Sequence, residues 1–176
     1  MKMKTILPLV LFAVLVGFLA FGLTRNPATI DSVLIDTPFP EFELTDLYDP
    51  DQVVTKADLT GEIVLVNVFG SWCVACVQEH PKLVELSNTA NIKIVGVDWR
   101  DTRENGMAWL KKYGDPYHRV VFDADSLLAI DLGITGAPES YLVDKQGDIR
   151  YKHVGIITDQ VWDDILAPIV VQLRTE

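Results

Sequence analysis

The chain has 176 residues, room for one domain plus a further segment, and a formal net charge of −10. All 25 acidic residues and 12 of the 15 basic ones follow Arg25, so that later part carries −13. Such a field repels nucleic acid and does not dock on anionic membrane surfaces.

The first segment is apolar. Lys2 and Lys4 precede an uncharged run from Ile6 to Leu23, interrupted only by Pro8, Gly17 and Gly22. Its length sits at the lower limit for a bilayer-spanning helix and exceeds a signal-peptide core. Phe18 spoils the small-x-small pattern that cleavage near Ala20 and Gly22 requires, so an uncleaved anchor is favoured over a removed leader. The early lysines keep the N-terminus in the cytoplasm, which sends the rest of the chain across the membrane. The expected division is an anchor over 1–25, a linker over 26–40 punctuated by Pro27, Pro38 and Pro40, and a domain over 41–176.

Within the domain, Glu41–Leu44 and Gln52–Thr55 read as a hairpin turning at Asp49-Pro50-Asp51. An apolar strand over Ile63–Phe69 leads into a helix over Val77–Ser87, which Pro81 should bend. Asn91–Asp98 is the next strand, and Asp101 or Thr102 caps a helix that ends near Tyr113. A short strand at Val120–Phe122 and a short helix over Ser126–Leu132 follow. Ser140–Asp144 and Ile149–Val154 form a hairpin across Lys145–Asp148. Thr158 or Asp159 caps a last helix, bent or broken near Pro168. Strands alternating with helices, then a hairpin and helix, indicate α/β with a mixed sheet.

Chemistry concentrates at the only two cysteines, Cys73 and Cys76, in the run Phe69-Gly70-Ser71-Trp72-Cys73-Val74-Ala75-Cys76. A cysteine in the first turn of a helix feels the positive end of its dipole, which favours thiolate. A second one three residues on lies on nearly the same face, close enough to close a disulfide. Zinc would need four ligands, and His80, His118 and His153 do not supply the usual spacing. A purely structural role is weak, because so small a loop constrains little. A thiol peroxidase would want threonine three positions before its reactive cysteine, where this chain has Gly70 or Cys73. Dithiol–disulfide exchange remains, with no metal and no cofactor beyond the cysteine pair.

The order of strand, Trp-Cys-x-x-Cys, helix, strand, helix, strand, helix and Gly-Ala-Pro before a hairpin resembles the thioredoxin fold. More narrowly it resembles the CcmG/DsbE family of membrane-anchored thiol reductants that serve cytochrome c maturation. The resemblance rests on Asn67–Cys73 with Cys76 and Glu79-His80, Val95-Gly96-Val97, Trp109-Leu110-Lys111, Gly114–Tyr117 and Phe122–Asp125. Leu132–Glu139 and Ile149–Gly155 extend it, covering about residues 30 to 168.

The resemblance implies a mixed central sheet flanked by helices, behind an N-terminal transmembrane helix. It implies that Cys73 is the exposed nucleophile and Cys76 the buried resolving thiol. Trp72 packs beside them, and Pro138 is a cis-proline facing the disulfide. Glu79 overlooks the site and can raise a thiol pKa or shuttle its proton. Glu139 contributes to partner docking, and Asp98 is a lesser candidate for a buried acid. Substrates would be apocytochrome c or a CcmH-like thiol protein. A DsbD- or CcdA-like membrane reductase would supply electrons, and the site would face the periplasm from the inner membrane. Val74 and Ala75 depart from the family's usual spacer, which bears on reduction potential and partner range. A general reductase of TlpA or ResA type, a disulfide-donating oxidant and a non-catalytic haem-assembly module are the alternatives.

Overall fold

A computed structural model of the protein describes residues 3–23 and 34–175, with side chains described over 8–22 and 34–175. They form two separate units, divided between Ile30 and Asp31. The first is a helix, α1 (Met3–Leu23), with Pro8 in its opening turns. Its described apolar side chains, among them Leu9, Phe12 and Phe18, are exposed. Among the described residues no helix is long and apolar enough to cross a membrane.

The second unit is a mixed eight-stranded sheet in the order β1-β8-β7-β4-β5-β6-β2-β3. Its strands are β1 (Thr37–Pro38), β2 (Glu43–Asp46), β3 (Val53–Thr55), β4 (Val64–Phe69), β5 (Lys93–Trp99), β6 (Arg119–Asp123), β7 (Glu139–Val143) and β8 (Asp148–Val154). The central β4 runs parallel to β5 and antiparallel to β7. Such strands must be apolar on both faces, and every residue of β4 is buried. Alternation sorts them: Val64, Val66 and Val68 enter one core, Leu65 and Phe69 the other. The helices α2 (Val74–Thr89), α3 (Arg103–Tyr113) and α6 (Ala167–Thr175) cover the second face, and α4 (Leu127–Asp131) the first.

Two expectations change. The stretch 26–40 is not linker throughout: residues 26–33 lie outside the described residues, but Thr37 and Pro38 pair with Ile149 and Asp148, and Phe39 is buried. Proline cannot donate to a ladder, so a Pro-marked strand is tolerated only at an edge, where β1 lies. The last helix, expected to be bent or broken near Pro168, is not broken there. α5 (Asp159–Val161), capped by Thr158, passes through a π-helical turn (Trp162–Leu166) into α6. Widening the turn accommodates the ring and missing N–H of Pro168 without ending the helix.

Candidate active site

β4 ends at Phe69, and four residues later the chain enters α2 with Cys73 as its N-cap. Cys73 and Cys76 are joined by a disulfide with Cα atoms 5.3 Å apart. The Cys76 amide donates to Cys73 Sγ at 3.0 Å, satisfying one of the free N–H groups of the helix start. That amide and the helix dipole both stabilise negative charge on Cys73 when the pair is reduced. The expected contrast in exposure is small: Cys73 is 4% and Cys76 2% exposed. Trp72 directly precedes Cys73 in the chain, and the 137–138 segment lies against its sulfur.

Trp72 is half exposed, and its indole N–H donates to the Trp99 carbonyl at 3.1 Å. Gly70 makes this possible, because a Cβ there would stand 2.5 Å from the Trp72 indole nitrogen. Ser71 donates its amide to Asp101 Oδ2 at 2.6 Å, tying the turn to the end of β5. On the other flank the Ala137–Pro138 peptide is cis, as expected, and the Ala137 carbonyl oxygen lies 3.3 Å from Cys73 Sγ.

Glu139 is not a surface group awaiting a partner. It is fully buried, ion-paired with Lys152 at 2.9 Å, and accepts from the Thr135 amide and hydroxyl and from Tyr141 Oη. Burial works to raise its pKa, but the hydrogen bonds from Thr135 and Lys152 outweigh this and hold it below the ordinary value. Its work is to brace the loop before Pro138, because one carboxylate spans Thr135, Lys152 and Tyr141.

Glu79, too, overlooks nothing from the surface. At 1% exposure it lies inside, accepting from the Ile157 amide at 2.7 Å and Asn67 Nδ2 at 3.0 Å. Burial pushes its pKa up to about 7, against those two hydrogen bonds. Asn67 also donates to Ser140 Oγ and accepts from Tyr117 Oη at 2.8 Å, extending the network. Burial raises the Tyr117 phenol well above its usual range. Next to Glu79, His80 Nε2 lies 2.8 Å from the Gly114 carbonyl, and burial lowers its pKa, which favours the neutral ring. Asp98 is likewise fully buried.

The sequence reading singled out Glu79 but missed Asn67, Tyr117, Ser140 and Lys152. One signal was present: an asparagine in the otherwise apolar run of β4 must find partners where it is buried. Nothing local announces the others. Tyr117 and Ser140 join the network across separations of 50 and 73 residues from Asn67, and Lys152 reaches Glu139 from β8.

Comparison with known proteins agrees with this geometry. Residues 35–165 match the Redoxin family. The chain is 43% identical over 171 residues to the thiol:disulfide interchange protein DsbE of Allochromatium vinosum, covering 97% of this chain and 94% of that one. It is 40% identical over 176 residues to DsbE of Escherichia coli K12, covering 96% and 95%. A Chlorobium tepidum structure assigned to DsbE superposes with a TM-score of 0.67 at 24% identity, covering 81% of this chain and 99% of that one. A secreted thiol-disulfide isomerase from Corynebacterium glutamicum gives 0.65 at 21%, covering 84% and 98%. These two likenesses bear on the fold, which is thioredoxin-like.

Proposed function

This chain belongs to the Redoxin family and, within it, to the DsbE thiol:disulfide interchange proteins, and from that premise we propose that it is a reductant serving cytochrome c maturation. The observation that carries the reading is the Cys73–Cys76 pair at the N-terminus of α2, with the Cys76 amide aimed at Cys73 Sγ. In the reduced protein Cys73 thiolate attacks one sulfur of a substrate disulfide. A mixed disulfide forms and one substrate thiolate leaves. The Cys76 thiol loses its proton and attacks Cys73 Sγ, which releases the second substrate thiolate. Two electrons pass to substrate, and the pair is left oxidised.

The substrate is apocytochrome c, oxidised at its haem-attachment cysteines, or a CcmH-like thiol protein that handles it. A DsbD- or CcdA-like membrane reductase returns the electrons. The pair is itself the redox group, with no metal or further cofactor. Residues 1–25 anchor the chain in the inner membrane, supported by the exposed apolar side chains of α1 and the lysines before them. The segment near residues 26–33 then connects to a domain in the periplasm. Trp72 and the backbone beside Pro138 receive the extended substrate.

Equilibration of the full-length chain with glutathione and dithiothreitol buffers tests the direction of electron flow. A potential of roughly −220 to −270 mV supports a donor. A value near −120 mV marks a disulfide donor and overturns the reading. A disulfide-closed Cys-x-x-Cys-His peptide must also be reduced by the chain for the substrate assignment to stand.

A further inference from the structure

Asp98 is the next-to-last residue of β5, with its side chain on the same face as Ile94, and no exposed surface remains on it. Among the described residues, no N–H or hydroxyl donor reaches either of its buried carboxyl oxygens. Its oxygen is packed so tightly on α3 that a Cβ at Gly106 would stand 2.2 Å from Oδ2. An ionised carboxylate left this way would be strongly disfavoured. Of the side chains acting on it, Asp101 alone engages it by hydrogen bond, while the Arg103 guanidinium acts through charge only. Two carboxyls share a hydrogen bond only when one holds a proton. Asp101 is the acceptor of the two, because its Oδ2 takes the Ser71 amide at 2.6 Å and its Oδ1 the Thr102 amide at 2.8 Å.

We propose that Asp98 is a positioning residue: as a protonated acid it donates to the Asp101 carboxylate, which holds the Ser71 amide and so fixes the turn that presents Cys73. Asp98 does not touch the sulfurs and acts only through Asp101 and Ser71. Loss of its proton sets two carboxylates against each other and frees the Ser71 end of the turn.

The surrounding charges leave this switch to Asp98. Burial first, then the charge and hydrogen bond of Asp101, raise its pKa to about 8, while Arg103 opposes them. Arg103 is committed elsewhere, to the carbonyls of Asp46 and Leu47 and the hydroxyl of Thr45. Tyr48 and Tyr117 also feel Asp98, but burial raises both phenols well above their usual range, so neither changes charge near pH 8.

The test is an NMR titration of the oxidised full-length chain in detergent micelles, following the Asp98 carboxyl carbon and the Ser71 backbone nitrogen. Both should step with one midpoint near pH 8. In Asp98→Asn, whose amide still donates to Asp101, Ser71 should stay at its low-pH wild-type shift throughout. In Asp98→Ala it should sit at the high-pH shift throughout. Alkylation of reduced Cys73 by iodoacetamide should show an inflection at that midpoint, beyond the thiol's own titration, which Asp98→Asn removes. An ordinary carboxyl midpoint for Asp98, a Ser71 shift that ignores it, or identical behaviour of the Asn and Ala variants overturns the proposal. If neither variant folds, the wild-type titration decides alone. The NMR readout involves no thiol chemistry, so it is independent of the proposed reductant function on which the alkylation readout rests.

Discussion

The two faces of the central sheet are built from alternate residues of the same strands, yet they hold different chemistry. One face packs Val64, Val66, Val68, Val95 and Val97 against Leu128 and Leu132 of the α4 region. The other carries Leu65, Phe69 and Ile94, with Asn67 and Asp98 between them, against α2 and α3. Glu79, His80 and Tyr117 add to that second face, which lies under the disulfide. The difference shows where stability and chemistry have been separated. The first face keeps its few titratable groups in fixed partnerships, Asp123 with the α4 amides and Glu139 with Lys152, whereas the second buries Glu79 and Asp98, whose pKa values burial raises, on the side that holds the cysteines.

Breaking the pair itself should have the largest effect. Cys73→Ser should abolish disulfide exchange with a small-molecule disulfide, whereas Cys76→Ser should trap the mixed disulfide on Cys73, visible by mass spectrometry. If exchange persists in Cys73→Ser, the polar face is not serving a thiol reaction.

Lys152→Met removes the partner of fully buried Glu139. An uncompensated buried charge should cost about 3–5 kcal/mol in urea unfolding at pH 7. The lowered pKa of Glu139 contributes stability above the ordinary carboxylate range that is lost as pH falls through its folded value. In Lys152→Met that contribution disappears, so mild acidification should recover part of the loss.

On the aliphatic face, Leu128→Ala should cost about 2–5 kcal/mol through lost burial and a cavity. The reduction potential should not move. A shift in potential comparable to that of a polar-face variant would show that the two faces are not separable.

The smallest expected effect concerns pH. Glu79 and Asp98 have raised folded values of about 7 and about 8. A group with a raised value gives its full contribution below its unfolded pKa and loses it as pH climbs through the folded one. Stability of the oxidised chain should therefore fall between roughly pH 4 and pH 8 and flatten above. Glu79→Gln should remove the part of that slope ending near pH 7, an effect on the order of 1–3 kcal/mol. A wild-type slope that survives in Glu79→Gln would assign those protons elsewhere.

Local signals made much of this protein legible. The apolar run of β4, the capped α3 and the hairpin of β7 and β8 announce themselves by periodicity and turn residues within a few positions. Cys73 and Cys76 are bound together by the geometry of one helical turn, so their pairing needs no tertiary information. The burial of Glu79 could not be read in this way. A glutamate three residues past Cys76 looks like a solvated helix surface until the Ile157 amide, 78 residues on, closes over it. Glu139 looked equally exposed, and Lys152 on the neighbouring β8 made it a brace.

The sequence by itself determined the redox pair, the order of strands and helices from β2 onward, and the sign of the field around them, because each depends on neighbours along the chain. Only the tertiary structure decided which acids lie in water and which in the core. That choice depends on what packs over each carboxyl, which for Glu79 is the Ile157 amide 78 residues on and for Glu139 is Lys152 on the next strand. The site's protons are therefore a property of the fold, and its sulfurs a property of the sequence.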